Sequence, residues 1–214
     1  MKSVANFVET YNMITFRKLI NEESKNLKHS HSDTIVRLFQ EIASDYIYKK
    51  RDARKPNTNS IKYNLVKLGH KLGYRVYANG LTPEQTKEQF DKYGFVCREF
   101  LYDVHWYVDK KDEFYTPENV SLVVESELGD RRKGDSSKSP NPAVKFDFQK
   151  LLLANAELRL MVFKTKDINH LNQLDTYFDD AIEAYKLLKK GDIFLFICFT
   201  HNSKEMYYTE KYKK

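Results

Sequence analysis

The sequence predicts an α/β protein in which helices flank a mixed central β-sheet. From residue 60 onward, stretches with apolar residues three and four positions apart alternate with short runs rich in β-branched and aromatic residues. The predicted order is α-β-α-β-β-α-β-α-β. The composition is that of a globular protein, because 41% of the 214 residues are hydrophobic and 31% are charged, with only 7 glycines and 5 prolines.

The first 59 residues are predicted to form a basic helical extension, followed by a domain over residues 60–214. Residues 4–24 and 30–50 both show helical periodicity. In the first 75 residues, 15 lysines and arginines stand against 7 acidic residues, a net charge of +8. Because the whole chain carries +6, the remainder carries −2. This asymmetry favours a face that binds a polyanion.

Turn and cap residues delimit the elements of the domain. Thr82, Pro83 and Gly94 are typical of the cap, the first position and the terminator of a helix. For a later helix, Asn141 is the predicted cap and Pro142 the predicted first position. The predicted helices are 60–72, 82–94, one starting at Pro142, and about 169–190. The predicted strands are 74–78, 95–108, 119–129, 159–164 and 192–200, and residues 130–142 form a polar surface loop.

Neither a membrane segment nor a secretory leader is indicated. No apolar run reaches the roughly 18 residues that a membrane helix needs. Cys97 and Cys198 lie among apolar neighbours without zinc-ligand spacing, so we expect two buried thiols and no disulfide. We therefore expect a cytoplasmic protein without a membrane partner.

The densest basic stretch, residues 48–64, mixes lysine and arginine with tyrosine and asparagine. These residue types contact the phosphates and sugars of nucleic acids. The alternative is a solvated loop between two helices. The candidate nucleic-acid contacts in this stretch are Lys49, Lys50, Arg51, Arg54 and Lys55.

Acidic residues come together when the two central β runs are paired. In a hairpin centred near residue 114, opposite residue numbers add up to about 228, so that Asp103 faces Glu125 with side chains about 5 Å apart. Glu127 lies on the same face as Glu125 because strand side chains repeat every two residues. The pairing therefore predicts three carboxylates at one edge of the sheet.

Such a cluster is stable only if the repulsion between its charges is relieved. Like charges about 4 Å apart repel by roughly 4 kcal/mol at an effective dielectric constant of 20. Either one carboxylate keeps a proton or a divalent cation lies between them, and oxygen ligands suit Mg²⁺ or Mn²⁺. Alternatively, the glutamates are strand-edge residues that pair with Arg131 and Arg132.

These segments, "FLYDVHWYV", "SLVVESELG" and "FDFQKLLLANAELRLMVF", resemble the core of the PD-(D/E)XK phosphodiesterases, the restriction-endonuclease-like fold. The resemblance covers about residues 60–165 and implies an αβββαβ core. Asp103 matches the first acid of the family pattern and Glu125 matches the acid that opens the second motif. Glu127 stands where lysine is usual, an E-x-E variant, and Lys150 matches members in which the lysine has moved to the following helix.

The resemblance implies a role for each matched residue. Asp103, Glu125 and Glu127 would bind Mg²⁺ or Mn²⁺, and Glu127 would alternatively accept a proton from the attacking water. Lys150 would orient that water or hold the phosphate. Additional candidates are Glu41, Gln149 and His105, whose alternatives are a solvated helix position, an exposed neighbour of Lys150 and a structural strand histidine.

The basic loop beyond Glu127 would hold the DNA backbone close to the metal, or would be an ordinary surface loop. Its candidates are Arg131, Arg132, Lys133 and Lys138. The favoured hypothesis is a Mg²⁺-dependent endonuclease acting on double-stranded DNA, with a homodimer as one way to cut both strands. The alternatives are a catalytically silent nucleic-acid-binding or interaction subunit of the same fold and a basic structural adaptor.

Overall fold

A computed structural model describes residues 15–20, 27–48, 57–111, 113, 115–129 and 141–214. These residues form seven strands and five helices that alternate along most of the chain. The elements are β1 (Arg17–Lys18), α1 (Ser30–Tyr48), α2 (Thr58–Lys71), β2 (Arg75–Ala78), α3 (Pro83–Tyr93), β3 (Val104–Asp109), β4 (Pro117–Glu127), α4 (Pro142–Leu153), β5 (Leu158–Thr165), α5 (Ile168–Ala184), β6 (Ile193–Thr200) and β7 (Met206–Tyr212).

The strands form one mixed sheet in the order β1-β7-β6-β5-β4-β3-β2. The central strands β4, β5 and β6 are parallel to one another. The pairs on both sides of them are antiparallel, β2 with β3, β3 with β4, β6 with β7 and β7 with β1. The predicted α/β class and the mixed sheet are therefore confirmed.

Two hydrophobic clusters cover the two faces of the sheet. On one face, α1 and α2 pack through residues such as Phe39 and Leu65 against Trp106 and Val124 of the strands. On the other face, α4 and α5 pack through residues such as Phe148 and Phe178 against Phe163 and other strand residues. Residues of α1, α2 and the sheet belong to one core cluster. The predicted division of the chain at residue 59 into an extension and a domain stays a prediction.

The helix predicted over residues 4–24 is wrong where the structure describes it. Arg17 and Lys18 form a short strand that pairs with Tyr208 and Tyr207 of β7. Phe16 packs edge-on against rings of one cluster, whereas Leu19 belongs to the other. A three-residue spacing of apolar residues fits a helical stripe, but here it lets an extended segment reach both faces at the sheet edge.

The C-terminal elements differ from prediction in two places. The predicted helix 169–190 ends at Ala184, where the Lys213 ammonium group donates hydrogen bonds to the carbonyl groups of Ile182 and Glu183. These bonds satisfy acceptors that every helix end leaves without intrahelical partners. Strand β7 was not predicted, because its lysine, glutamate and threonine obscure the apolar pattern of a strand.

Local end signals located α3 correctly, whereas Asn141 precedes α4 without a side-chain cap hydrogen bond. Thr82 and Gln85 form a capping box at the start of α3, and Gly94 ends this helix in the left-handed conformation. In contrast, the β run predicted over 95–108 is regular only from Val104. Residues 95–103 contribute isolated bridges, such as that between Ala78 and Arg98.

Gly69 allows α2 to lie close to β3. A Cβ atom at Gly69 would be 2.5 Å from Nε1 of Trp106, a fully buried ring whose N–H donates to the Leu65 carbonyl at 3.1 Å. We expect Gly69→Ala to lower the free energy of unfolding by about 1–3 kcal/mol, because overpacking forces the ring or the helix to move. Urea denaturation followed by Trp106 fluorescence measures the change, and an unaltered midpoint would contradict this packing.

No helix in the described part of the chain is long and apolar enough to cross a membrane. Both cysteines are free thiols, as predicted. Cys198 is buried, but Cys97 is only half-buried, since it lies in the irregular segment before β3.

Candidate active site

The hairpin formed by β3 and β4 has the predicted register. Val104 pairs with Val124, His105 with Val123 and Trp106 with Leu122, so that opposite residue numbers add up to 228. Extended by one residue, this register sets Asp103 opposite Glu125. A bulge shifts the pairing only beyond Trp106, toward the hairpin turn. The two acids are therefore brought together at the edge where β3 begins and β4 ends.

Asp103 is held by a helix and by the neighbouring strand. Its Oδ1 accepts a hydrogen bond from the Lys62 ammonium group of α2 at 2.7 Å. Its Oδ2 accepts from the backbone N–H of Ser126 at 2.9 Å. Lys62 also donates to Oδ1 of Asn79 at 2.5 Å. The ammonium group therefore connects the N-terminal part of α2 and the residue after β2 to the Asp103 carboxylate.

Glu125 is buried, with 2% of its surface exposed, and only one of its oxygens is paired in the described residues. Oε2 accepts from the Lys150 ammonium group of α4 at 3.0 Å. Lys150 also pairs with Oδ1 of Asp147 at 2.9 Å, one turn earlier on the same helix. Oε1 has no hydrogen-bond partner among the described residues. The site therefore contains a buried carboxyl group that is half satisfied.

The pKa values of Glu125 and Lys150 are both raised, but for different reasons. Burial raises the pKa of Glu125 to about 8; the Lys150 hydrogen bond acts against this, whereas the nearby Asp103 charge adds to it. Burial acts to lower the pKa of Lys150, but its hydrogen bonds to Asp147 and Glu125 outweigh burial and raise the value to about 12. Near neutral pH, Lys150 is cationic. A proton and a metal cation compete for the Glu125 carboxyl group, because its pKa lies near 8.

Glu127 turns toward its own backbone. Its Oε1 accepts the N–H of Gly129 at 2.9 Å, and this places the carboxylate over the end of β4. The described residues contain no group of three histidine, cysteine or acidic side chains able to hold a metal ion. The predicted convergence of Asp103, Glu125 and Glu127 on one point is therefore not seen in this conformation.

His105 lies in an aromatic environment. It packs against Tyr77 and Phe100, with ring centroids 5.0 and 5.2 Å away, whereas Asp103 precedes the strand and binds Lys62. Burial lowers its pKa to about 4, so the imidazole is neutral at pH 7. With 4% of its surface exposed, it offers little area to a substrate, although its Nδ1 has no hydrogen-bond partner in the described residues.

The remaining candidates lie apart from the carboxylates or outside the described residues. Glu41 and Gln149 are both exposed, Glu41 on α1 and Gln149 on α4. Asp103, Lys150 and Asp147 supply the charges that act on Glu125. The predicted nucleic-acid contacts Lys49, Lys50, Arg51, Arg54, Lys55, Arg131, Arg132, Lys133 and Lys138 lie outside the described residues.

Lys62 and Asp147 are site residues that the sequence reasoning missed. Both lie on the buried stripe of their helix, Lys62 beside Leu65 and Val66, and Asp147 beside Phe148. A charged residue on an apolar stripe needs an opposite charge or hydrogen-bond partners, because burying an unpaired charge is costly. This pattern was a usable signal in the sequence for both residues.

The partnership of Lys62 with Asp103 leads to a stability prediction. We expect Lys62→Met to lower the free energy of unfolding by about 2 kcal/mol at pH 7, because it leaves the Asp103 carboxylate partly buried without its cation. Urea denaturation measures the change. Lys67→Met, an exposed position on the same helix, is the matched control and should change stability by less than about 0.5 kcal/mol. Equal effects of the two substitutions would show that the ion pair does not stabilise the fold.

None of the protein-family models matches the chain, and none of the curated proteins or solved structures does.

Proposed function

We propose that this chain is a metal-dependent phosphodiesterase, a nuclease that cleaves DNA internally and serves restriction, defence or repair. The observation that carries the proposal is Glu125. It is buried at the end of β4, opposite Asp103, with one oxygen bound to Lys150 and the other without a partner in the described residues. An acid, a second acid and a lysine from the following helix meet here as the PD-(D/E)XK resemblance implies.

The fold supports the same proposal. From α2 to β5 the elements follow the order αβββαβ, with α3 inserted after β2. In this order, β3 supplies the first acid, β4 supplies the E-x-E motif, and α4 supplies the lysine. Fold alone does not define function, so the proposal depends on the side chains rather than on the element order.

The residues present suit Mg²⁺ or Mn²⁺. Asp103, Glu125 and Glu127 offer carboxylate oxygens, the ligands these ions prefer. Oε1 of Glu125 is the natural first ligand, since it is buried without a hydrogen-bond partner among the described residues. When bound, the ion would polarise the phosphodiester and lower the pKa of a water molecule.

The lysines would orient the reacting groups. Lys62 holds Asp103 and Lys150 holds Glu125, so each acid is fixed by an ammonium group from a different helix. Lys150 keeps 41% of its side chain exposed and is cationic at neutral pH, so it can also contact a phosphate oxygen of the substrate. Burial keeps Glu125 inaccessible to bulk water, which strengthens its interaction with any cation.

A second candidate function has its own support. Lys62 and Lys150 neutralise Asp103 and Glu125, and no three-acid group is present among the described residues. These two facts favour a catalytically silent subunit of the same fold that binds nucleic acid.

A cleavage assay separates the two functions. Wild-type protein is incubated with supercoiled plasmid and with duplex and single-stranded oligonucleotides, in Mg²⁺, in Mn²⁺ and in EDTA. We expect cleavage that requires the metal and rises with its concentration. Binding of duplex DNA without cleavage in either metal would reject the nuclease and support the silent subunit.

A further inference from the structure

A pocket of about 360 Å³ opens at the carboxyl-terminal edge of the parallel strands. Its walls come from the residues that follow β4 and from the last residues of β5 and β6. The connection from β6 to the start of β7 and the start of α2 complete them. The volume lies in the lower part of the roughly 300–1,000 Å³ range of small-molecule sites. Ligands of open α/β sheets commonly bind beyond the carboxyl ends of the strands.

The floor of the pocket is apolar. Leu128, Phe199 and Met206 line it, and the last two are buried members of the core cluster that contains α1 and α2. Such a floor suits a flat ring or another apolar group rather than a bare ion.

The rim of the pocket is mainly basic. Lys164 and Lys204 contribute ammonium groups, and His201 contributes an imidazole. Thr58, the first residue of α2, also lines the pocket, so the positive end of the helix dipole faces it. The acid on the rim, Glu205, is paired with Lys18 at 2.5 Å and accepts the Tyr207 hydroxyl at 2.6 Å. Among the described lining residues, two lysines and one histidine therefore stand against one acid, which favours an anionic ligand.

The pocket adjoins the candidate active site. Gly129 lines the pocket, and its N–H donates to the carboxylate of Glu127 at 2.9 Å. A ligand in the pocket would therefore lie beside Gly129, which contacts the Glu127 carboxylate at the end of β4.

We propose that this pocket binds one nucleotide, with its base on Phe199 and Met206 and its phosphate between Lys164, Lys204 and the start of α2. An apolar floor combined with a cationic rim matches a flat heterocycle that carries a phosphate. The assignment to a substrate nucleotide beside the cleaved phosphate rests on the proposed nuclease function. Binding of a free nucleotide does not depend on it.

The test is titration of the full chain with thymidine 5′-monophosphate, without metal, by calorimetry. We expect saturable binding that is weakened at least tenfold by Lys164→Gln and by Lys204→Asn. Asparagine suits residue 204, whose φ of 55° lies in the left-handed region. Lys190→Gln, an exposed lysine before β6, is the matched control and should leave the affinity unchanged. Inorganic phosphate should bind more weakly than the nucleotide, because it makes no contact with the floor.

Two outcomes would overturn the proposal. One is the absence of nucleotide binding, and the other is binding that Lys164→Gln and Lys204→Asn leave unaltered while circular dichroism shows both variants folded. Glu125→Gln should retain nucleotide binding, since Glu125 is not part of the pocket. Nucleotide binding without DNA cleavage would therefore reject the nuclease alone, and cleavage without nucleotide binding would reject the pocket alone.

Discussion

Glu125→Gln is expected to abolish Mg²⁺-dependent cleavage while making the protein more stable at neutral and alkaline pH. The amide keeps the size of the side chain but removes the charge that would bind the metal. Loss of several kcal/mol of transition-state stabilisation lowers the rate on the order of 10³-fold or more. Duplex binding should change little, because Glu125 is buried and exposes almost none of its surface to a DNA backbone. Plasmid nicking and a binding titration measure both properties.

The stability effect follows from the raised pKa. In the unfolded chain Glu125 loses its proton near its ordinary value of 4.5, but in the folded chain it does so near 8. Between these values the folded state binds more protons, so wild-type stability falls as pH rises from about 4.5 to about 8. The glutamine at position 125 does not titrate. The gain in the free energy of unfolding over the wild type is therefore absent below about pH 4.5 and largest above pH 8, on the order of 2 kcal/mol.

The matched control is Glu118→Gln, an exposed glutamate on the same strand. It should leave cleavage and the pH dependence of unfolding as in the wild type. A Glu125→Gln variant that cleaves DNA normally would remove Glu125 from the site. Equal stability of variant and wild type from pH 4 to pH 9 would contradict the raised pKa.

Lys150→Met is expected to abolish cleavage and, unlike Glu125→Gln, to destabilise the fold. Lys150 joins the buried carboxyl groups of Glu125 and Asp147, and its removal leaves them facing each other without a cation. We expect a loss of about 1–3 kcal/mol at pH 7, less than for a fully buried pair because Lys150 is partly exposed. The loss should be larger above pH 8, where Glu125 has given up its proton and its charge depends on Lys150. Lys150→Arg should retain part of both properties, since it keeps the charge.

A double variant makes this prediction specific. At pH 9, Lys150→Met combined with Glu125→Gln should recover stability relative to Lys150→Met alone, because it removes the buried charge that Lys150 neutralises. Lys145→Met on the same helix is the control for loss of a lysine from α4. Additive effects of the two substitutions at positions 125 and 150 would show that these side chains do not interact.

Pattern reasoning succeeded where the signal was local. The capping box at Thr82 and the terminator at Gly94 set the ends of α3 because cap hydrogen bonds form within one helical turn. The hairpin register follows from two neighbouring apolar runs, and this register sets Asp103 opposite Glu125. The family resemblance assigned Lys150 to the site, but neither the resemblance nor a local pattern indicates its contact with Glu125.

Pattern reasoning failed where a distant segment determined the outcome. Residues 17 and 18 form a strand because β7 offers them an open edge. The end of α5 is set by Lys213, about thirty residues later in the chain. Apolar spacing along the sequence records which residues are buried, but not the segment against which they are buried.

By itself, the sequence determined the α/β class, most of the helices and strands and the pairing of the two acidic strands, because periodicity and caps act over a few residues. Only the tertiary structure decided which charges meet. Lys62 reaches Asp103 because Gly69 lets α2 approach Trp106, and Asp147 and Glu125 share Lys150 because α4 packs on β4. Ion pairs between elements depend on packing distances of a few ångströms, which residue spacing along a chain does not contain.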